Sequence, residues 1–379
     1  MLFIRISLIH NLLKFLISIS CLFAVSSQEL LDKGIFKLYN YELEEAVLLL
    51  DSAQVVDPLH PVPPFVSIAA KWLYAQTIDG YKTSYDVIYT EVEKTIPIYK
   101  ALINQYPNNA EYMLYLGSTY GIRARVALAT KKWIQVIYSG YKGYRYTQTA
   151  HEIDPELSDV FLPIGLMEYF SCMAASPVRL VAKVAGITPD CDMGISHLED
   201  AVSGGEYSRI EAGNVLTYIY LYFLNQPNDA LRHITPLSDG YPQNPFFAAL
   251  KGEALALTGR WNELEEFYPN LEKLSNLGSF LQQNETQLKV QYIRALQAFS
   301  QSDLDATITH STWIIENYHM EFDWLLGKAH LIRGKCYDMV DDRESAKRDY
   351  KITANLDNYF PDGEIARGLL KQPYSITNQ

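Results

Sequence analysis

Small side chains recur along this chain at a fixed interval, and that register limits the possible folds more than any other feature. A small residue is followed twelve positions later by alanine or another small residue, then by a bulky apolar residue, a second small residue and a proline. In the first unit these are Gly34, Ala46, Leu50, Ala53 and Pro58. Two antiparallel helices approach closely only where small residues meet at the crossing, and proline ends the second helix. The frame returns at Leu216, Ala230, Ile234, Leu237 and Pro242 with one extra residue, and Gly252, Leu255, Leu264, Tyr268 and Leu271 follow in phase. Gly334, Tyr337, Ala346 and Tyr350 repeat it near the C-terminus. Less regular units run from Pro64 to Pro107, with Trp72 and Tyr99, and from Leu288 to Tyr318, with Ala306 and Trp313. Apolar residues elsewhere fall at three- and four-residue spacing between turn residues, and strand-type alternation is scarce.

These positions resemble those of the tetratricopeptide repeat, a unit of about 34 residues made of two antiparallel helices. The resemblance implies an all-α, right-handed superhelical solenoid of about eight helix pairs over residues 28–358. Residues 359–379 are then a C-terminal cap or tail. In this family ligands lie along the inner face formed by the first helix of each pair. Aligning the units puts Tyr169 there with Leu162, Leu166 and Phe170, and puts Asn214, Tyr218 and Tyr222 there in a later unit, as a ligand surface or, in part, as packing between units. The family's chaperone-binding members clamp a terminal carboxylate with Lys and Asn at set inner positions. Those positions are apolar or aromatic here, which argues against that role.

Two consecutive middle units are too long. After Leu116, Gly117 and Tyr120, the closing Ala150 and Pro155 arrive late, and the interval from Gly165 to Ala201 is stretched in the same way. Both excesses fall between the first and second helix of their units, near residues 121–146 and 171–193, so they are expected to emerge on one edge of the solenoid. Adjacent loops on one edge often carry specificity in repeat proteins. The block from Asp159 to Ala201 is similar to envelope and organelle-surface proteins of the tetratricopeptide-repeat-domain-39 type. Within the second excess, Ser176, Pro177 and Gly186 frame a short capped helix that contains Arg179, Leu180 and Lys183. Covering the groove, touching a membrane or binding a partner helix are all open to it.

The first residues, with basic Arg5 and Lys14 and an apolar run from Phe15 to Val25, fit a secretory signal over residues 1–27 or a retained anchor. Cys21 adds lipidation as a third option. Without that segment 32 basic residues fall to 30 against 44 acidic ones, and so acidic a surface argues against nucleic acid. No later stretch is apolar and long enough to span a membrane, so no transmembrane span is expected in the mature chain. Export would leave Cys172, Cys191 and Cys336, of which the first two are spaced for a bridge or all three are buried small apolar groups.

Signatures of zinc proteases, phosphate-binding loops, nucleophile elbows and dinucleotide folds are missing from the sequence. Asp190, Cys191, Asp192 and His197 could be metal ligands or cap and turn residues. Asn284, Glu285 and Thr286 form a glycosylation triplet. The electrostatic anomaly lies between Glu111 and Glu152, where there is no acidic residue but there are Arg123, Arg125, Lys131, Lys132, Lys142 and Arg145. Trp133, Tyr138, Tyr141, Tyr144 and Tyr146 are interleaved with them. Cations beside aromatic faces suit an anionic ligand. Alternatively, the cations pair with acidic neighbours while the rings fill the core.

The reading that joins these features is a non-enzymatic, extracytoplasmic scaffold in the periplasm or cell envelope that needs no cofactor. It would recruit a protein or peptide, or an anionic envelope ligand, through Arg123, Arg125, Lys142, Arg145, Tyr141, Tyr144, Tyr169, Asn214, Tyr218 and Tyr222. An enzyme or metal-dependent accessory with its site in the insertions, and a self-assembling envelope protein, are the alternatives.

Overall fold

The structure is a computed structural model that describes residues 25–79, 81–174, 179–180, 182–183, 186–277, 280–320, 323–356 and 361–375. The expected signal, Cys21 included, lies outside the described residues apart from positions 25–27. The described residues are helical throughout, with no strand among them. Eight helix pairs follow one another: α1 (Ser27–Tyr39) with α2 (Leu43–Val56), α3 (Pro63–Asp79) with α4 (Tyr81–Gln105), α5 (Ala110–Ala129) with α6 (Trp133–Ile153), and α7 (Phe161–Met173) with α8 (Cys191–Gly204). The series continues as α9 (Arg209–Tyr218) with α10 (Pro227–Gly240), α11 (Pro245–Leu257) with α12 (Trp261–Ser275), α13 (Phe280–Ser300) with α14 (Leu304–Glu316), and α15 (Trp324–Met339) with α16 (Arg343–Asn355). A final helix, α17 (Pro361–Lys371), packs on α16 and caps the array. Each helix packs chiefly on its neighbours in sequence, as in an all-α solenoid of the tetratricopeptide type.

The small-residue register sits at the crossings. A Cβ on Gly34 would lie 2.8 Å from Leu50 Cγ, and one on Gly334 would lie 2.6 Å from the ring of Tyr350. Leu50 and Tyr350 are fully buried against those glycines, and Ala46, Ala53 and Ala346 are fully buried as well. A second periodic device closes the pairs. Tyr41, Lys131, Asn225, Gly259, Ser302 and Asp341 all have positive φ, and each stands in the turn between the first and second helix of its pair. A left-handed residue reverses the chain directly after a helix C-terminus. The extra residue in the fifth unit is absorbed as a π-helical turn over Ile219–Phe223 that prolongs α9.

The two excesses take different forms. The first is not a loop: α5 and α6 run for 20 and 21 residues, against 13 and 14 for α1 and α2, and a tight turn at Thr130–Lys132 joins them. Apart from that turn, residues 120–146 are continuous helix, and the excess lengthens both partners. Gly117 and Gly143 let the two backbones touch, since a Cβ on Gly117 would meet Gly143 O at 2.8 Å. The second excess does leave the helical frame after Met173, and a Cys172–Cys191 disulfide ties its ends together. The two touch, because Ala182 and Ile187 of the second are buried with Tyr144 of α6 and Met167 of α7.

The array also curls back on itself. The α1–α2 turn docks on the α10–α11 turn, where Gln243 N donates to Asn40 Oδ1 (3.1 Å) and Asn244 Nδ2 donates to the Tyr39 carbonyl (2.7 Å). Tyr39 lies against the rings of Tyr241 and Phe247, Tyr41 lies against Phe246, and α3 reaches α13.

Candidate functional site

The curl decides what becomes of the inner face. Tyr218 stacks on Trp324 with ring centroids 5.0 Å apart, and Tyr222 packs on the same indole at 4.4 Å. Lys289 of α13 sits among these three rings. Its ammonium donates to Tyr222 Oη (2.9 Å), which donates to Glu253 Oε2 (2.5 Å), and Lys289 and Glu253 are 3.7 Å apart. Burial holds the Lys289 ammonium below the ordinary lysine range, against the pull of Glu253, and pushes the Tyr222 phenol well up. Lys328 of α15 also lies over the Tyr222 ring and pairs with Asp362 of α17 at 3.5 Å. The aromatic stripe read as a ligand surface is therefore a strut that joins α9, α11, α13 and α15, and the molecule's own lysine occupies it.

The ten residues singled out in the sequence do not converge. Tyr169 and Tyr222, each 1% exposed, and Tyr144 belong to the core, and burial raises the Tyr169 phenol to about 12. Asn214 and Tyr218 are half-buried on α9. Arg123 forms an ion pair with Glu93 of α4 at 2.8 Å, and Arg125 lies over the rings of Trp72 and Tyr85. These two arginines bind α5 to the preceding pair. Tyr141, Lys142 and Arg145 face outward along α6, with Lys142 over the Tyr146 ring and Arg145 reaching Gln148.

The candidate metal cluster is divided among other duties. Asp190 caps α8 by accepting from Met193 N at 3.0 Å, Cys191 is in the disulfide, and His197 bonds Glu168 at 2.7 Å while stacking on Phe161. Burial raises the Glu168 carboxyl above its usual range even though His197 opposes the shift. No group of three or more His, Cys, Asp or Glu side chains poised for a metal occurs among the described residues. The glycosylation triplet is inside α13, and its Thr286 is buried.

The exposed face of α6 was only half read from the sequence. Trp133, Ile134, Ile137, Tyr138 and Tyr141 all stand in solvent there, and Ile134 is 86% exposed. Leu128 at the end of α5 joins them. A shallow open depression of about 570 Å³ on this face is lined by Arg123, Lys132, Trp133, Ile134, Gln135 and Tyr138. The three-to-four spacing of its apolar residues was visible in the sequence, but the same spacing would serve a buried face. Among the described residues no helix is long and apolar enough to cross a membrane.

No protein-family model matches the chain, and no curated protein does. Among solved structures it is similar to a tetratricopeptide repeat protein from Parabacteroides merdae (10% identity, 91% of this chain and 97% of that one, TM-score 0.27). It is also similar to a human IFIT1 dimer with PPP-AAAA (12% identity, 84% and 89%, TM-score 0.33). A third similar structure is the P58(IPK) TPR domain (14% identity, 91% and 98%, TM-score 0.26). None of these likenesses bears on what this chain binds.

Proposed function

We propose that this chain is a non-enzymatic binding scaffold whose docking surface is the outward edge of the α5–α6 hairpin rather than its inner face. One observation carries the reading: α6 leaves a row of five large apolar side chains in water beside exposed cations, a longer row than Leu48, Val55 and Val56 of α2, while the inner aromatic residues are packed on one another. A contiguous exposed apolar face rimmed by charge is the usual mark of an interaction site. The long hairpins α3–α4 and α5–α6 hold that edge rigid, through the Arg123–Glu93 ion pair and the Lys132 ammonium over Tyr89.

A photo-crosslinking side chain at Ile134 tests this in the native host, with the same probe at Asp239 as a control on another edge. The expected result is a defined adduct from Ile134 only, lost on Lys131→Glu/Lys132→Glu. Adducts from Asp239 alone, or none from Ile134, would remove this face from the account. Export to an oxidising compartment belongs to the same proposal. The Cys172–Cys191 bridge and the apolar N-terminal run support it. Sequencing the N-terminus of the native protein should find it starting near Ser27, and a retained Met1 would contradict cleavage.

A further inference from the structure

The exposed face of α6 is apolar, aromatic and cationic at once, and the structure brings a second such element beside it. Leu180 of the disulfide-tied segment is 64% exposed, with Arg179 and Lys183 exposed next to it. The contact of Ala182 and Ile187 with Tyr144 fixes that segment against α6. The sequence alone offered two cations in the second insertion, too few for a charged surface. With Lys131 and Lys132 of the α5–α6 turn and Lys142 and Arg145 of α6 the joint surface has six; the chain from residue 112 to 151 contributes no carboxylate side chain, and Asp190 and Asp192 stand at the far end of the second element. Glu93 of α4 is engaged by Arg123.

Taking the docking reading above as its premise, we propose that the occupant of this surface is the headgroup region of an anionic lipid bilayer. Three features select a bilayer over a folded protein. Charge is complementary to anionic headgroups in a chain that is otherwise net acidic, with 44 acidic against 32 basic residues. The apolar residues are of the interfacial kind: Trp133, Tyr138 and Tyr141 carry an apolar ring and a polar tip, and Ile134 and Ile137 are placed to enter the acyl boundary. The recess found on this surface is a shallow open depression, and a fluid headgroup layer needs no shaped one. Positions 133, 134, 137, 138 and 141 share one face of a helix, so α6 would lie along the bilayer plane with Lys131 and Lys132 at one end and Lys142 and Arg145 towards the other.

The full chain contains five tryptophans, and residues 1–24 contain none, so Trp133 reports on this face separately from any binding by the N-terminal run. Trp72, Trp261, Trp313 and Trp324 are half-buried, whereas Trp133 is 59% exposed. Vesicles of phosphatidylcholine with a third phosphatidylglycerol, brominated in the acyl chains, should quench tryptophan emission. Trp133→Phe should abolish that quenching, and phosphatidylcholine alone should give at least a tenfold weaker effect. Lys131→Glu/Lys132→Glu should lower the apparent affinity by roughly a hundredfold, since each cation near such a surface contributes severalfold. Circular dichroism identical to wild type would show that both variants fold. Quenching that persists in Trp133→Phe would place the contact elsewhere and overturn the proposal. A lipid-free dimer that shields Trp133 would make the face a self-interface and overturn it too. Absent quenching with a charge-dependent protein adduct at Ile134 would sink the bilayer while sparing the scaffold, and absence of both would sink the two together.

Discussion

A single methyl group should have opposite effects at two glycines one turn apart on α5. Gly117 faces α6, where an added Cβ would meet Thr147 Oγ1 at 2.7 Å and the Gly143 carbonyl at 2.8 Å, while nothing lies within 4 Å of one on Gly121. Gly117→Ala must push backbone away from backbone and should destabilise by about 1–3 kcal/mol. Gly121→Ala removes glycine's entropic cost in a helix and should stabilise by about 0.5–1 kcal/mol. Urea unfolding of both variants reads the two signs. The α15–α16 pair carries a pH dependence of its own. Asp349 is buried, which by itself would raise its carboxyl. Bonds from Arg333 (2.8 and 2.7 Å) and His330 (2.7 Å) more than reverse that and hold it below the usual carboxylate range. A carboxylate with a lowered folded value gives stability that is fully present above its ordinary value near 4 and lost as pH falls through the folded one. Asp349→Asn should therefore lower stability at neutral pH and flatten its fall in acid. An unchanged acid slope would mean that Asp349 is not the group being titrated.

At the scale of elements, much of the chain was legible because the cause is local. Gly34 against Leu50, and Gly334 against Tyr350, are contacts within one hairpin, and the register that encodes them can be counted along the sequence. The extra residue before Ala230 was countable too, although that it forms a π turn was not. The first insertion shows where counting fails. Its length was evident, but whether added residues loop out or lengthen two helices depends on continuous packing, here supplied by Tyr120 stacked on Tyr146 at 5.9 Å and by the Gly117–Gly143 contact. The second insertion is held by its disulfide, which closes a loop of 19 residues. Cys172→Ser/Cys191→Ser should cost about 3 kcal/mol. It should also expose Tyr144, whose cover comes from Ala182 and Ile187 on that loop. Thermal unfolding with and without reductant measures the first effect, and reductant should not alter the double variant.

For the whole molecule, the decisive contacts join residues about two hundred positions apart. The Asn40–Gln243 and Tyr39–Asn244 bonds depend on how far the array turns per unit, a sum of small rotations that no local motif encodes. For that reason Tyr218 and Tyr222 looked like ligand residues in the sequence and prove to be packed around Lys289. For Arg123 and Arg125 the sequence leaves a ligand and acidic neighbours both open, and their partners on α3 and α4 decide it. The account therefore rests on an inner face filled by the protein itself and an outer edge left open. Hydrogen exchange of the full chain with and without vesicles containing phosphatidylglycerol tests both halves at once. Protection should be gained over residues 128–145 and 179–187, with no change over residues 209–223 or along α13. Protection of α9, α11 and α13 while α6 exchanges as before would contradict it.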